Sequence, residues 1–352
     1  MTKRLFFGGL FMSKKKTMDK GKKKKIILTV LCSLLVVFAA AAGVLFHEYK
    51  KDYTCKEQNG FSMGSVVTVR LYGDDTFKKL SVVKGIIDNL DKEISRNREN
   101  SAVSQLNENG SAESAGAAAI FTECRKVSEL SNGAFDLTVG PVSSLWNFDG
   151  ELRKVPEKSE LEKALGVVDY EKVEVNGSTL RVAEGQQLDL GAVGKGAACD
   201  AVSDYIKNCG AKGGVVSVGG SIFAWGKRNR AGDKWRIAVR HPRQENAYIG
   251  VIQLSEGFVS TSGDYEKYFE KDSKRYHHIL DANTGYPAES GLASVTVVCD
   301  SGALSDALST ACFILGEEKS KALLSEFSAG AVFVDSELNV TTYGEIDFEK
   351  TA

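Results

Sequence analysis

The sequence predicts one intertwined α+β body preceded by a single N-terminal transmembrane helix. Three observations carry that expectation. Residues 26–46 make an uncharged run of 21 residues. Helical and strand periods mix through the remainder, which favours one body over separable layers. No internal repeat, low-complexity tract or second linker divides it. At 352 residues the chain has room for one large or two compact domains. With 43% hydrophobic and 26% charged residues it is close to globular averages. That excludes collagen-like, coiled-coil, disulfide-scaffold and mostly disordered classes.

In chain order, residues 1–25 carry ten Lys or Arg against one acid, Asp19, and are expected to form a basic cytoplasmic tail. The net charge of −1 then leaves the rest near −10, which argues against a nucleic-acid-binding body. The run IILTVLCSLLVVFAAAAGVLF is long enough to cross about 30 Å of hydrocarbon as a helix. Lys22, Lys23, Lys24 and Lys25 directly before it hold that side in the cytoplasm, so the body is expected outside it, tethered to the cell membrane by a single pass. A cleavable signal peptide, with its small residues at Ala39 to Ala42, is the rival reading. Continuation through Val44, Leu45 and Phe46 favours an uncleaved anchor. Met18 is an alternative start. Cys32 is not a convincing lipoprotein cysteine, because Leu31 precedes it.

Residues 47–59 read as a polar linker and 60–352 as the body. The spacing predicts a strand over 66–72 and a helix over 77–94, with Leu80, Val83, Ile87, Leu90 and Ile94 on one face. An Asn- and Ser-rich stretch, 95–101, interrupts regular structure. Helices are expected over 115–130 and, after Pro156, over 159–165. A hairpin joins 172–175 to 179–182 across Asn176-Gly177. Strands then dominate, at 215–218, 222–225, 235–239, 248–254 and 294–299, with helices at 195–208 and 304–315. Seven cysteines form no CxxC pair and read mostly as small buried apolar residues. Four histidines argue against a His-rich zinc site.

Thirty-five glycines against four prolines cluster where backbone can approach a ligand, among them Gly191, Gly194, Gly196, Gly219 and Gly220. The Walker pattern fails because Gly196 follows Lys195. The Rossmann pattern fails at Cys199, and no G-x-S-x-G elbow exists. What remains is Asp189 to Gly196, running from a short apolar strand into a helix. It sets free N–H groups and the Lys195 ammonium at a helix N-terminus, a cradle for an anion. A plain strand-to-helix turn with a solvated lysine fits the same residues. Asp306 and Thr310 stand four apart on one helical face, two hard oxygens suited to Mg²⁺. An N-terminal helix carboxylate beside a back-bonded threonine is the structural alternative. His278 lies between a strand and the Asn283-Thr284-Gly285 turn, where its ring reaches a cleft rim or serves structure alone.

Taken together, these segments resemble the ApbE family of FAD:protein FMN transferases. The likeness covers about 61–315 and runs in family order: Met63-Gly64-Ser65, Ser101 to Asn107, Gly133-Ala134-Phe135-Asp136 to Pro141, Asp189 to Gly196, Val218-Gly219-Gly220, Thr261-Ser262-Gly263, His278-Ile279-Leu280-Asp281, and Asp306 to Thr310. It implies a two-lobed, T-fold-like domain that holds FAD across a cleft. It implies Mg²⁺-dependent transfer of FMN from FAD to a Thr or Ser hydroxyl of a partner protein, releasing AMP. By position it puts the metal on Ala192, through its carbonyl, and on Asp306 and Thr310. FAD contacts fall on Met63, Ala134, Phe135, Asp136, Asp189, Lys195, Gly219, Gly220, His278 and Ile279. Asn97 stands where an aromatic usually meets the flavin, and Ala282 replaces a common proline. His278 is the expected group to orient or deprotonate the acceptor hydroxyl, with Asp281 as a second base and Lys195 on the leaving group. The same residues would serve an FAD pyrophosphatase, and the glycine clusters alone would suffice for a flavin carrier.

Overall fold

The computed structural model describes residues 19–51, 54–73, 76–148, 150, 153–229 and 231–351. The first 18 residues, with Met18 and most of the expected basic tail, lie outside them. Two compact units result, 1–51 and 52–352.

In the first unit, helix α1 (Lys20–Lys51) carries the apolar run. Lys20–Phe46 is long and apolar enough to cross a membrane, and a signal sequence would pass the same test. Leu34, Val36 and Phe38 are exposed like their neighbours. The hydroxyls of Thr29 and Ser33 donate back to the carbonyls of Lys25 and Thr29, each at 2.9 Å, so both are satisfied within the helix.

In the second unit the chain runs β1 (Cys55–Ser62), β2 (Ser65–Tyr72), α2 (Thr76–Ile94), α3 (Ala102–Asn109), β3 (Ser111–Glu113), α4 (Ala115–Leu130), α5 (Gly140–Trp146), α6 (Lys158–Leu165), β4 (Glu174–Asn176) and β5 (Thr179–Arg181). It continues with α7 (Gly194–Asn208), β6 (Gly213–Val218), β7 (Ser221–Gly226), β8 (Trp235–Arg240), β9 (Tyr248–Leu254), β10 (Gly257–Gly263), β11 (Tyr268–Lys271) and β12 (Lys274–His277). The last elements are β13 (Leu292–Cys299), α8 (Gly302–Leu315), α9 (Glu317–Glu326), β14 (Gly330–Asp335), β15 (Val340–Tyr343) and β16 (Phe348–Lys350).

Eight strands form one sheet in the order β1-β2-β6-β7-β10-β13-β14-β15, antiparallel at every junction. Alternation along each strand divides its residues between two faces. Phe223 joins the core that contains Leu80 and Ile87 of α2, Phe121 of α4, Val202 of α7 and Phe313 of α8. Its neighbour Ala224 joins a second cluster with Trp235, Ile237 and Ile252 from the small sheet β16-β9-β8. Burying each of these large side chains stabilises the fold by about 1.5–3 kcal/mol. A third cluster, around Val142, Trp146, Leu161 and Leu280, holds the β11–β12 hairpin through the stacked rings of Phe269 and Tyr276, 5.4 Å apart.

Two sequence expectations need correction. Residues 47–59 are not a linker throughout: α1 continues to Lys51, and Cys55 to Asn59 belong to β1. That strand is polar because it is the sheet's outer strand, paired only with β2. The 172–182 hairpin turns one residue later than expected. Asn176 pairs with Thr179 across Gly177-Ser178, and Gly177 supplies the left-handed backbone at φ 60°.

Candidate functional site

Helices α7 and α8 cross with backbone against backbone. A Cβ at Gly196 would overlap the Gly302 carbonyl, and one at Gly302 would overlap that of Gly196. At this crossing each helix satisfies N–H groups of the other. Asp306 of α8 accepts the Gly196 N–H at 2.6 Å on Oδ2 and the Ser221 hydroxyl at 2.6 Å on Oδ1. Asp200 of α7 accepts the N–H groups of Gly302 at 2.8 Å and Ala303 at 2.7 Å. These groups lie in a helix's first turn, which has no intrahelical partners for them. Burial pushes the Asp200 carboxyl up to about 6, against the pull of those two donors.

Beside Asp306 runs a row of hydroxyls. Ser260 Oγ lies 2.7 Å from Ser305 Oγ. Ser262 Oγ lies 2.8 Å from Ser309 Oγ and 3.1 Å from Thr310 Oγ1. Ala192 sits exposed in the turn before α7. Among the described residues no three His, Cys, Asp or Glu gather into a metal cluster. A cation here would rest on one buried carboxylate supplemented by hydroxyl and carbonyl oxygens. Such a hard-oxygen set suits Mg²⁺, which keeps several waters and shares phosphate oxygens. Asp306 uses one bond per carboxylate oxygen, so lone pairs remain for an ion.

The start of α7 also meets two turns. Gly219, at φ 58°, stands where a Cβ would come within 2.9 Å of Ser65 Oγ and 3.1 Å of Lys195 Cδ. Gly220 follows half-buried. A Cβ on Gly194 would meet Ile94 and, at 4.0 Å, the Met63 methyl. Met63 and Gly64, at φ 51° and 66°, close the β1–β2 hairpin in the left-handed pair such turns require. Met63, Lys195 and Gly219 therefore lie together.

His278 leaves the end of β12 with its N–H on the Lys267 carbonyl at 2.9 Å. The side chain as a whole is half-buried, but its Nδ1 is enclosed without a hydrogen-bond partner. Burial, then the charges of Lys195 and Lys267, push this imidazole down to about 3, so it is neutral near pH 7. The preceding His277 is buried, with Nε2 3.1 Å from the Ala288 carbonyl.

Asp189 stands in a network that sequence reasoning missed. Its Oδ2 takes the Arg96 guanidinium at 2.7 Å and the Ser143 hydroxyl at 2.8 Å, and its Oδ1 takes the Gly191 N–H at 2.9 Å. Burial raises its carboxyl, but Arg96 and the two hydrogen-bond donors outweigh that and hold it below the usual range.

Other expected site residues are engaged in local structure. Asp136 accepts both groups of Thr138, at 2.7 and 2.8 Å, and the Tyr170 N–H at 3.0 Å. Burial raises its carboxyl. Ala134 accepts the Ala282 N–H at 3.1 Å, while Phe135 and Ile279 are core residues. Asp281 binds the Asn283 N–H at 2.9 Å within its own turn. Asn97 is exposed. A cavity of about 210 Å³ lined by Gly133, Asp136, Tyr170 and Asn283 opens beside this segment.

Residues 63–333 match the model of the ApbE family. A FAD:protein FMN transferase of Treponema pallidum is 33% identical over 299 residues, covering 77% of this chain and 82% of the relative. One from Haemophilus influenzae is 32% identical over 280 residues, covering 74% and 81%. Among solved structures, the ApbE protein of Thermotoga maritima aligns with a TM-score of 0.75 at 31% identity, covering 82% of this chain and 96% of that one. The apo flavinyl transferase ApbE of Pseudomonas stutzeri gives 0.71 at 33% identity, covering 83% and 95%.

Proposed function

The chain belongs to the ApbE family and is a FAD:protein FMN transferase, and on that premise we propose its finer chemistry. FMN passes from FAD to a Thr or Ser hydroxyl of an exported or membrane redox protein, AMP leaves, and Mg²⁺ assists. The observation that carries this reading is the α7–α8 crossing, where the buried Asp306 carboxylate, the Thr310 hydroxyl and the first turn bearing Lys195 adjoin. Phosphoryl transfer asks a protein mainly for positioning and charge compensation.

Asp306, Thr310 and the Ala192 carbonyl would hold Mg²⁺, which when bound neutralises pyrophosphate oxygens. Lys195 sits at the positive end of α7 and compensates charge gathering on the AMP phosphate. Met63 and Gly219 line the approach to it. The acceptor oxygen bonds to the FMN phosphorus, the bridging P–O bond to AMP breaks, and the hydroxyl proton moves to the His278 imidazole, which is unprotonated near pH 7. Asp281 is the weaker base, because its carboxylate already closes a turn. The length and apolarity of α1 support a membrane anchor, and the lysines before its apolar run support a cytoplasmic N-terminus with the body on the far side.

Incubating the full chain with FAD, Mg²⁺ and an acceptor domain, then weighing the acceptor by mass spectrometry, tests this. An FMN adduct formed together with AMP is expected. Free FMN alone would instead mark a pyrophosphatase, and bound FAD without AMP a carrier. His278→Ala should keep FAD binding and lose most transfer. Asp306→Ala should abolish Mg²⁺-dependent turnover, and unchanged metal dependence would refute the assigned ligand.

A further inference from the structure

Arg96 belongs to none of the roles assigned above, yet it is one of the most thoroughly held side chains at the site. Its guanidinium donates to Asp189 Oδ2 at 2.7 Å, Ser143 Oγ at 2.6 Å and the Gly140 carbonyl at 3.3 Å, and also to Ser144 Oγ. It thereby joins the irregular segment after α2, the start of α5 and the turn before α7. Arg96 and Asp189 are only 21% and 18% exposed. With Nη1 on three protein oxygens and Nη2 on Ser144, the guanidinium is fixed in place against the carboxylate. Its effect falls on the carboxylate. Arg96 and Ser143 fill both lone pairs of Oδ2, and Gly191 takes one of Oδ1, so a single acceptor position remains open. The flavin ring carries one ring N–H donor between two carbonyls, and that is the kind of group one fixed anionic acceptor selects.

We infer that Arg96 is a positioning residue, fixing the Asp189 carboxylate so that its one open lone pair receives the ring N–H of the flavin. This rests on the flavin reading proposed above. The test is equilibrium binding of FAD and, separately, of ADP to the full chain and to Arg96→Ala, Arg96→Lys, Asp189→Asn and the Arg96→Ala/Asp189→Asn double variant. ADP retains the phosphates and lacks the ring. Arg96→Ala should weaken FAD roughly tenfold or more and leave ADP within about twofold, since charge-assisted bonds are the strong ones. Arg96→Lys, with the charge but not the fork, should fall between. The double variant should lose no more than Asp189→Asn alone, because one residue acts through the other. FAD affinity of Arg96→Ala should also decline as pH falls through the ordinary carboxylate range, while wild type holds steady there. Equal losses of ADP and FAD in both Arg96 variants, additive losses in the double variant, or an unchanged Arg96→Ala each overturn the inference. Wild-type protein that binds ADP but no FAD overturns the flavin reading itself, and the role of Arg96 with it.

Discussion

His278 enters the fold as an imidazole that resists protonation. Burial and the two nearby lysines depress its pKa to about 3, well below the value that suits a general base near neutrality. On the proposed reading the entering pyrophosphate is negative and is held by Lys195, so substrate would offset the charge that weakens the base. Ring NMR of the unliganded protein should give a midpoint near 3, with Lys195→Ala and bound ADP each moving it upward. A midpoint near 6.5 would contradict that environment. The same depression affects stability. The unfolded chain takes up this proton from about pH 6.5 downward and the folded one does not until about 3, so the contribution is intact above 6.5 and lost as pH falls. Asp200 works with the opposite sign. Its folded value near 6 lies above the unfolded one near 3.8, so its contribution is full below 3.8 and lost as pH rises through 6. In Asp200→Asn, thermal midpoints between pH 4 and 6 should rise more steeply with pH than in wild type. An identical slope would show that this carboxyl titrates normally.

At the level of elements, the crossing of α7 and α8 makes two glycines unequal to the rest. Gly196→Ala puts a methyl into the Gly302 carbonyl and should destabilise by about 3 kcal/mol in urea titration. Gly85 lies inside α2 with nothing within 4 Å of its would-be Cβ, so Gly85→Ala should stabilise by about 0.4–1 kcal/mol. Similar outcomes for the two would mean that the helices can separate at little cost. The sequence revealed these helices readily, because Leu80, Val83 and Ile87 mark one face of α2 and Asp306 and Thr310 one face of α8. It hid what joins them. Asp200 and Gly302 are 102 positions apart, Arg96 and Asp189 are 93, and neither pairing leaves a local signature. The strand β1 was hidden for another reason: an edge strand of Lys56, Glu57, Gln58 and Asn59 has no apolar alternation to read.

On the scale of the whole molecule, the body from residue 52 onward is a compact unit with its own sheet, helices and, among the described residues, three apolar clusters. Removing residues 1–51 should therefore leave the urea midpoint and FAD binding of the body unchanged while abolishing recovery in the membrane fraction of cells. A body that fails to fold would show that α1 contributes to its core. Family and fold were legible because short segments in a fixed order each keep a turn or a helix start. The partners of the carboxylates inside them were less so: Asp136 reaches across to the Tyr170 N–H, whereas Asp281 caps its own turn, and nothing in the local sequence separates the two cases.

The exchanged carboxylates at the α7–α8 crossing constrain the order of assembly. The N–H groups of Gly196 on α7 and of Gly302 and Ala303 on α8 are matched by a carboxylate of the other helix, so either helix docked alone leaves part of its first turn unmatched. Both carboxylates should thus be seated in a single late step, and on the proposed reading a half-assembled chain would be unable to spend its dinucleotide early.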